Sequence, residues 1–309
     1  MSSPRRRERP ELIDWAVRRV IINADDFGLT RGVNRAVMEL YSKGALTSAT
    51  MMARAAATEE ALEEALKTPA LRVGCHVVLV DGEPLSSPRD IPGLADRKTG
   101  RFHPTLARFL RLVLTGRIQP AGIQAEAAAQ IALLQSRGLH LTHIDTHKHT
   151  HMFPAVLRPM LRAARAAGIS AVRNPFEPPW SRRATSAAPL LRRMEVAVLR
   201  QLEPAFRRIV AQEGFTTTDG ALGVLATGNL DTATIRSLLA ITPPGTWELV
   251  THPGYNDIEL EQIRTRLKQS RELERQALMT IGRLEGLELI SFAQLAAGNA
   301  EITMDSYMK

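Results

Sequence analysis

Residues 19–28 read R-V-I-I-N-A-D-D-F-G. Val20, Ile21 and Ile22 form an unbroken apolar run, the pattern of a strand buried on both faces, as in a parallel sheet. The run ends in two adjacent carboxylates, Asp25 and Asp26, followed by Gly28. Alone, that ending reads equally well as a turn that caps a helix. Val33, Ala36, Val37 and Leu40 then recur at helical spacing until Gly44 supplies a stop. No G-x-G-x-x-G follows the strand, so a dinucleotide-binding fold loses its main support.

The same alternation continues along the chain. Strands are predicted at 47–53, 71–80, 141–144, 169–173, 222–226, 248–251 and 287–292. Helices are predicted at 59–67 (capped by Thr58), 105–115, 120–137, 154–167, 190–212 and 259–284. The long stretch 81–104, rich in Pro, Gly and Asp, has the length of a lid or binding loop. Repeated strand–helix units argue for parallel βαβ connections. We expect an α/β chain forming a distorted (β/α) TIM-like barrel of seven or eight parallel strands. It would be a single domain over 18–298 with an inserted helical segment at about 175–215. A basic tail, 1–17, with a short helix near its end would precede it, and a C-terminal tail, 299–309, would follow.

Of 309 residues, 44% are hydrophobic and 23% charged, enough apolar mass for a large core. The single cysteine, Cys75, excludes an internal disulfide framework and suits a reducing compartment. The basic start lacks an apolar stretch of the signal-peptide kind, and no run approaches the ~18 apolar residues of a spanning helix. These features point to the cytoplasm. The net charge is +8, yet aromatics make up only 5% and the arginines scatter along helices. Nucleic acid is therefore not an expected partner, and a solvated basic surface, able to face anionic lipid, is the better account.

Residues 141–154, L-T-H-I-D-T-H-K-H-T-H-M-F-P, hold four of the eight histidines. His76 lies inside the apolar run L-R-V-G-C-H-V-V-L-V, and His252 lies in V-T-H-P-G-Y. Singly, these read as a histidine-rich loop, a hydrogen-bonded core histidine and the start of a tight turn. Together with Asp25 and Asp26 they lie at or near four strand ends, where barrels gather catalytic groups. One carboxylate and two imidazoles leave a coordination position for water, the open arrangement of a catalytic divalent metal site. Mixed nitrogen and oxygen donors favour zinc or another first-row ion, and magnesium is also compatible.

The chain resembles the YdjC-like carbohydrate deacetylases, and within them the hopanoid-biosynthesis-associated branch. The resemblance rests on N-A-D-D-F-G at 23–28, G-C-H at 74–76, D-T-H-K-H-T-H-M-F-P at 145–154 and T-H-P-G-Y at 251–255. It implies a divalent metal held by Asp26, His76 and His147, with Asp25 as general base and His252 as general acid. It also implies Arg173 near the substrate, with His151 and Asp145 as further substrate-side candidates. Asp145 is in addition a candidate to orient a ligand imidazole. Lys148 departs from the family's usual histidine, which leaves the roles of His149 and His151 open. The implied partner is an N-acetylated sugar or glycolipid, with chitooligosaccharides or a phosphoester as alternative substrates. A homodimer is a further expectation.

One stretch points to a second kind of partner. Leu190, Leu191, Met194, Val198, Leu202, Phe206, Ile209 and Val210 recur at helical spacing among arginines. The stripe reads either as a substrate-access element facing the inner membrane surface or as an ordinary amphipathic helix packed on the barrel. Pro204 is expected to kink or divide it.

Overall fold

The computed structural model describes residues 17–185, 188–282 and 285–298. The expected tails and the helix of the N-terminal tail lie outside these residues, apart from Val17. Among the described residues there are nine strands: β1 (Arg18–Phe27), β2 (Ser48–Met51), β3 (Arg72–Val77), β4 (Ile144–Thr146), β5 (Ala171–Val172), β6 (Thr216–Thr217), β7 (Gly220–Leu222), β8 (Gly245–Thr251) and β9 (Glu288–Leu289). They run in the order β6-β5-β4-β3-β2-β1-β8-β7, and β9 also pairs with β1. Every pairing is parallel.

The result is the expected distorted (β/α) barrel, open between β6 and β7. Only residues 218 and 219 separate those two strands, whereas parallel neighbours need a crossover of roughly a dozen residues or more. Other bonds span the opening: Ala221 N–H donates to Phe176 O (3.0 Å) and Asn174 Nδ2 to Thr218 O (3.1 Å).

β1 organises the interior. Val20, Ile22 and Ala24 join the main core, while Ile21 packs in a separate cluster with Ala171, Ile290 and Phe292. Alternation therefore sends the odd-numbered residues of β1 into the barrel. From one end to the other these are Ile21, Asn23 and Asp25, so the lining passes from apolar to charged towards the C-terminal ends. Pairing sets the heights of the rest. Ala24 lies opposite Thr251, which brings Asp25 level with His252, and His76 lies opposite Asp145.

Several expectations need correction. Thr58 is the first residue of its helix (Thr58–Lys67) rather than its cap, because its hydroxyl bonds Met52 O at 3.0 Å. The 259–284 helix is two, Ile258–Gln262 and Lys268–Thr280. A helix at Thr232–Ala240, capped by Asp231, has no counterpart in the reading above. The histidine strand begins at Ile144, so His147 follows it directly. The 190–212 segment, by contrast, divides beside Pro204 as expected, into Leu190–Leu199, a tight turn at Arg200–Leu202, and Glu203–Gln212 with Pro204 in its first turn. There proline's missing N–H costs nothing. The long 81–104 loop is pinned near its start: buried Glu126 accepts from Leu85 and Ser86 N–H at 3.0 and 2.9 Å.

Candidate active site

In a regular strand Asp25 and Asp26 would point to opposite faces. Here the β1–β2 register slips between Ala24 and Phe27, and Asp26 adopts φ 63°. The bulge re-aims Asp26, and aspartate tolerates that left-handed conformation better than most residues. Both carboxylates are 1% exposed.

Asp26 Oδ1 lies 3.3 Å from His76 Nε2 and 3.2 Å from His147 Nδ1. One donor atom from each residue falls within 4.8 Å of the others. Donors that each sit ~2.1 Å from a shared ion stand about 3–3.5 Å apart, so this set fits a divalent metal with little movement. Asp145 Oδ1 meets His76 Nδ1 at 2.7 Å. That bond fixes the ring and leaves the Nε2 lone pair for a ligand, an arrangement common behind metal-binding histidines.

The charge balance points the same way. Burial opposes charging of His76, but Asp145 and Asp26 prevail and push its pKa up to about 10. The carboxylates thus call for a cation, which a proton supplies here and a bound metal would supply with His76 neutral. Burial also opposes ionisation of Asp26, but Arg271, His147 and His76 hold it well below the usual carboxylate range.

Behind the donors lies a buried ionic cluster. Arg173 is 0% exposed. It donates to both oxygens of Asp25 (2.6 and 2.7 Å) and to Glu248 Oε1 (2.8 Å), and it pairs with Asp145 Oδ2. Asn23 Nδ2 adds a bond to Asp25 Oδ1 at 2.9 Å. Burial works against the charge on Asp25, yet Arg173, with His76 and His252, keeps it ionised well below its ordinary range. Burial pushes Glu248 up to about 7 even with Arg173 alongside. Arg173→Met is expected to destabilise the fold by roughly 3–5 kcal/mol, because three interior carboxylates lose their shared cation. Urea unfolding checks this, and an unchanged midpoint would contradict it.

His252 stands across from Asp25, with Nε2 3.7 Å from Oδ2. Its main-chain N–H donates to Glu274 Oε2 at 2.5 Å, and its Nδ1 lies 3.9 Å from the same oxygen. Burial lowers its pKa to about 4 although Asp25 and Asp26 pull the other way, so it rests neutral near pH 7. The side chains of His147 and His252 are 22% and 12% exposed, against 2% for Asp25, Asp26 and His76. Those two imidazoles are therefore the groups of the cluster most open to solvent.

A family profile described as YdjC-like protein matches residues 19–282. The chain belongs to the YdjC-like family. A curated relative, named carbohydrate deacetylase, from Brevibacillus brevis is 38% identical over 162 residues, 52% of this chain and 60% of that protein. The match thus spans less than two thirds of that relative's length. A second of the same name, from Thermoanaerobacter pseudethanolicus, is 28% identical over 259 residues, 84% of this chain and 90% of that protein. Among solved structures, a protein described as a cellobiose-phosphate cleavage protein from Enterococcus faecalis V583 superposes with a TM-score of 0.72. It is 24% identical and covers 91% of this chain and 100% of its own, a likeness of fold.

Against the YdjC-like motifs, Asp25, Asp26, His76, His147 and His252 come together at one end of the barrel. Arg173, Asp145 and His151, expected on the substrate side, are fully buried, and the first two bond Asp25 and His76 from within the protein. Arg173 and Asp145 instead position Asp25 and His76. His151 Nδ1 bonds the Thr146 hydroxyl at 2.7 Å and packs beneath the turn. Lys148 and His149 both adopt left-handed φ, 56° and 51°, and Lys148 Nζ reaches Asp81 Oδ2 at 2.9 Å. Three contributors went unforeseen: Glu248, Arg271 and Glu274. Glu248 had a signal, a carboxylate inside the apolar strand W-E-L-V. Arg271 and Glu274 sit three apart on a helix that also carries Lys268, Glu272 and Arg275, so nothing marked them out.

Proposed function

We propose that the chain is a metal-dependent hydrolase that removes the N-acetyl group from an N-acetylglucosamine unit. The observation that carries this reading is the gathering of three metal-fitting donors, Asp26, His76 and His147, beside an ionised carboxylate and a neutral imidazole. The carbohydrate deacetylases among its relatives supply the substrate class. Zinc, another first-row ion or magnesium suits the donors. A divalent ion there would supply Lewis acidity towards the acetyl carbonyl and would acidify water.

The chain's own groups account for the proton. An amide nitrogen is a poor leaving group until it is protonated. Asp25, held ionised by Arg173, takes the proton of the attacking water on Oδ2, the oxygen that faces His252. His252 collects that proton and donates it to the departing sugar nitrogen, which lets a resting neutral imidazole serve as general acid. Arg173 also bears on the alternative of phosphoester hydrolysis. That chemistry needs a cationic clamp on phosphate, and the buried cations here are committed: Arg173 to Asp25, Asp145 and Glu248, and Arg271 to Asp26.

For the acceptor we favour a hopanoid glycolipid, on the motif resemblance, over a soluble chitooligosaccharide. Acetate release by metal-reconstituted protein, measured on an N-acetylglucosaminyl hopanoid and on chitobiose, tests both levels of the proposal. Faster turnover of the hopanoid is expected. Preference for chitobiose would reverse the choice of acceptor, and inactivity on both with metal bound would remove the deacetylase reading.

A further inference from the structure

The segment between β5 and β6 carries an apolar face that no described residue covers. Helix Leu190–Leu199 exposes Leu190 (73%), Leu191 (70%), Met194 (58%) and Val198 (68%). Residues 190, 194 and 198 are spaced by four, so they stack on one side of the helix. The stripe foreseen from the sequence continues to Val210, but it does not stay exposed. Phe206, Ile209 and Val210, on Glu203–Gln212, are buried in the core. The lower half therefore fastens the segment to the barrel, and the upper half faces outward. A single exposed leucine is ordinary, whereas a contiguous group marks a contact surface.

The helix is tied to the end of the barrel that bears the site. Arg192 Nη2 donates to Val224 O at 3.1 Å, and Glu177, just upstream, accepts from Ser181 Oγ at 2.7 Å and from Leu225 N–H. Val224 and Leu225 follow the C-terminal end of β7, as His147 and His252 follow β4 and β8. The charges around the helix are one-sided. Arg192, Arg200 and Arg207 pair with Glu195 and Glu203. Arg182, Arg183 and Arg193 form no ion pair among the described residues, and Arg182 lines a hollow with Ala197, Arg200, Gln201 and Glu203.

We infer that this helix docks the enzyme on an anionic membrane surface. Leu190, Leu191, Met194 and Val198 enter the boundary between headgroups and acyl chains, and Arg182, Arg183 and Arg193 meet lipid phosphates. A second copy of the chain fits less well. It would bring the same arginines against these, and four side chains fall well short of the ~800 Å² per partner of a stable interface. No described helix is long and apolar enough to cross a membrane. The inference is independent of the reaction assigned to the site.

The test is co-sedimentation of the full chain with phosphatidylcholine vesicles, with and without phosphatidylglycerol, at low and high salt. Three proteins are compared: wild type, L190Q/L191Q/M194Q, and R5S/R6S/R7S, which weakens the basic N-terminal stretch. Wild type is expected to sediment with the phosphatidylglycerol vesicles and to be released by salt. The glutamine variant should lose at least about ten-fold in bound fraction, with its thermal midpoint unchanged, while the serine variant keeps most binding. The inference is overturned by absence of wild-type binding at low salt, or by full binding of the glutamine variant. Loss of binding confined to the serine variant would also overturn it, as would a wild-type dimer that the glutamine variant converts to monomer.

Discussion

His76→Ala is expected to lose most of the bound metal and to fall to the activity of chelator-treated wild type. The reason is that His76 belongs to both groups of three that could hold an ion, Asp26–His76–His147 and the fully buried Asp25–His76–Asp145. Asp26, His76 and His147 each come from a different strand end, and no other imidazole faces Asp26 Oδ1 within 4 Å among the described residues. A three-ligand site that loses one ligand keeps two donors, too few to retain an open divalent ion at low concentration. The same change strips Asp145 of its imidazole partner, but Arg173 still pairs with that carboxylate, so the fold should survive. His147→Ala should behave alike at the metal. Metal analysis of the purified variants decides the matter, and full occupancy in both would make these histidines structural.

Asp25→Asn should give the opposite pattern, with metal retained and kcat lower by about 10²- to 10⁴-fold, the usual cost of a lost general base. Asp25 is not one of the Asp26–His76–His147 trio; it lies with His76 and Asp145 in a fully buried second group, where its two oxygens are directed at Arg173 and towards His252. Asparagine keeps the shape and an acceptor for Arg173, whose charge still meets Glu248 and Asp145. What it removes is the capacity to take a proton from water. Should Asp25→Asn empty the metal site instead, the roles of Asp25 and Asp26 must be exchanged.

The architecture was legible where burial imposes a pattern. The apolar run at Val20–Ile22 and its repeats at residues 71–80 and 248–251 come from strands covered on both faces, and each ends in polar residues because the barrel opens there. Elements decided by a few bonds were not legible. β6 is two residues long and carries no periodicity, and the break between Ile258–Gln262 and Lys268–Thr280 falls within a run of helix-favouring residues. At the site, histidines and aspartates at strand ends marked the candidates because they need a cation or a hydrogen-bond partner, and the family resemblance singled out Asp26, His76 and His147 among them. The depth at which a side chain ends up was hidden. The family resemblance implies Arg173 near the substrate, yet the pleat turns it inward among three carboxylates, Asp25, Asp145 and Glu248. The Asp25–Asp26 pair shows the same limit, since only the bulge at Asp26 lets neighbours share one pocket.

The central claim is that Asp26, His76 and His147 hold a metal that Asp25 works beside. Bound metal and acetate release, measured on the same preparations of wild type, His76→Ala and Asp25→Asn, test it most directly. The expected result is metal and activity in wild type, neither in His76→Ala, and metal without activity in Asp25→Asn. Full metal occupancy in His76→Ala, or acetate release by wild type that survives complete removal of the ion, would contradict it.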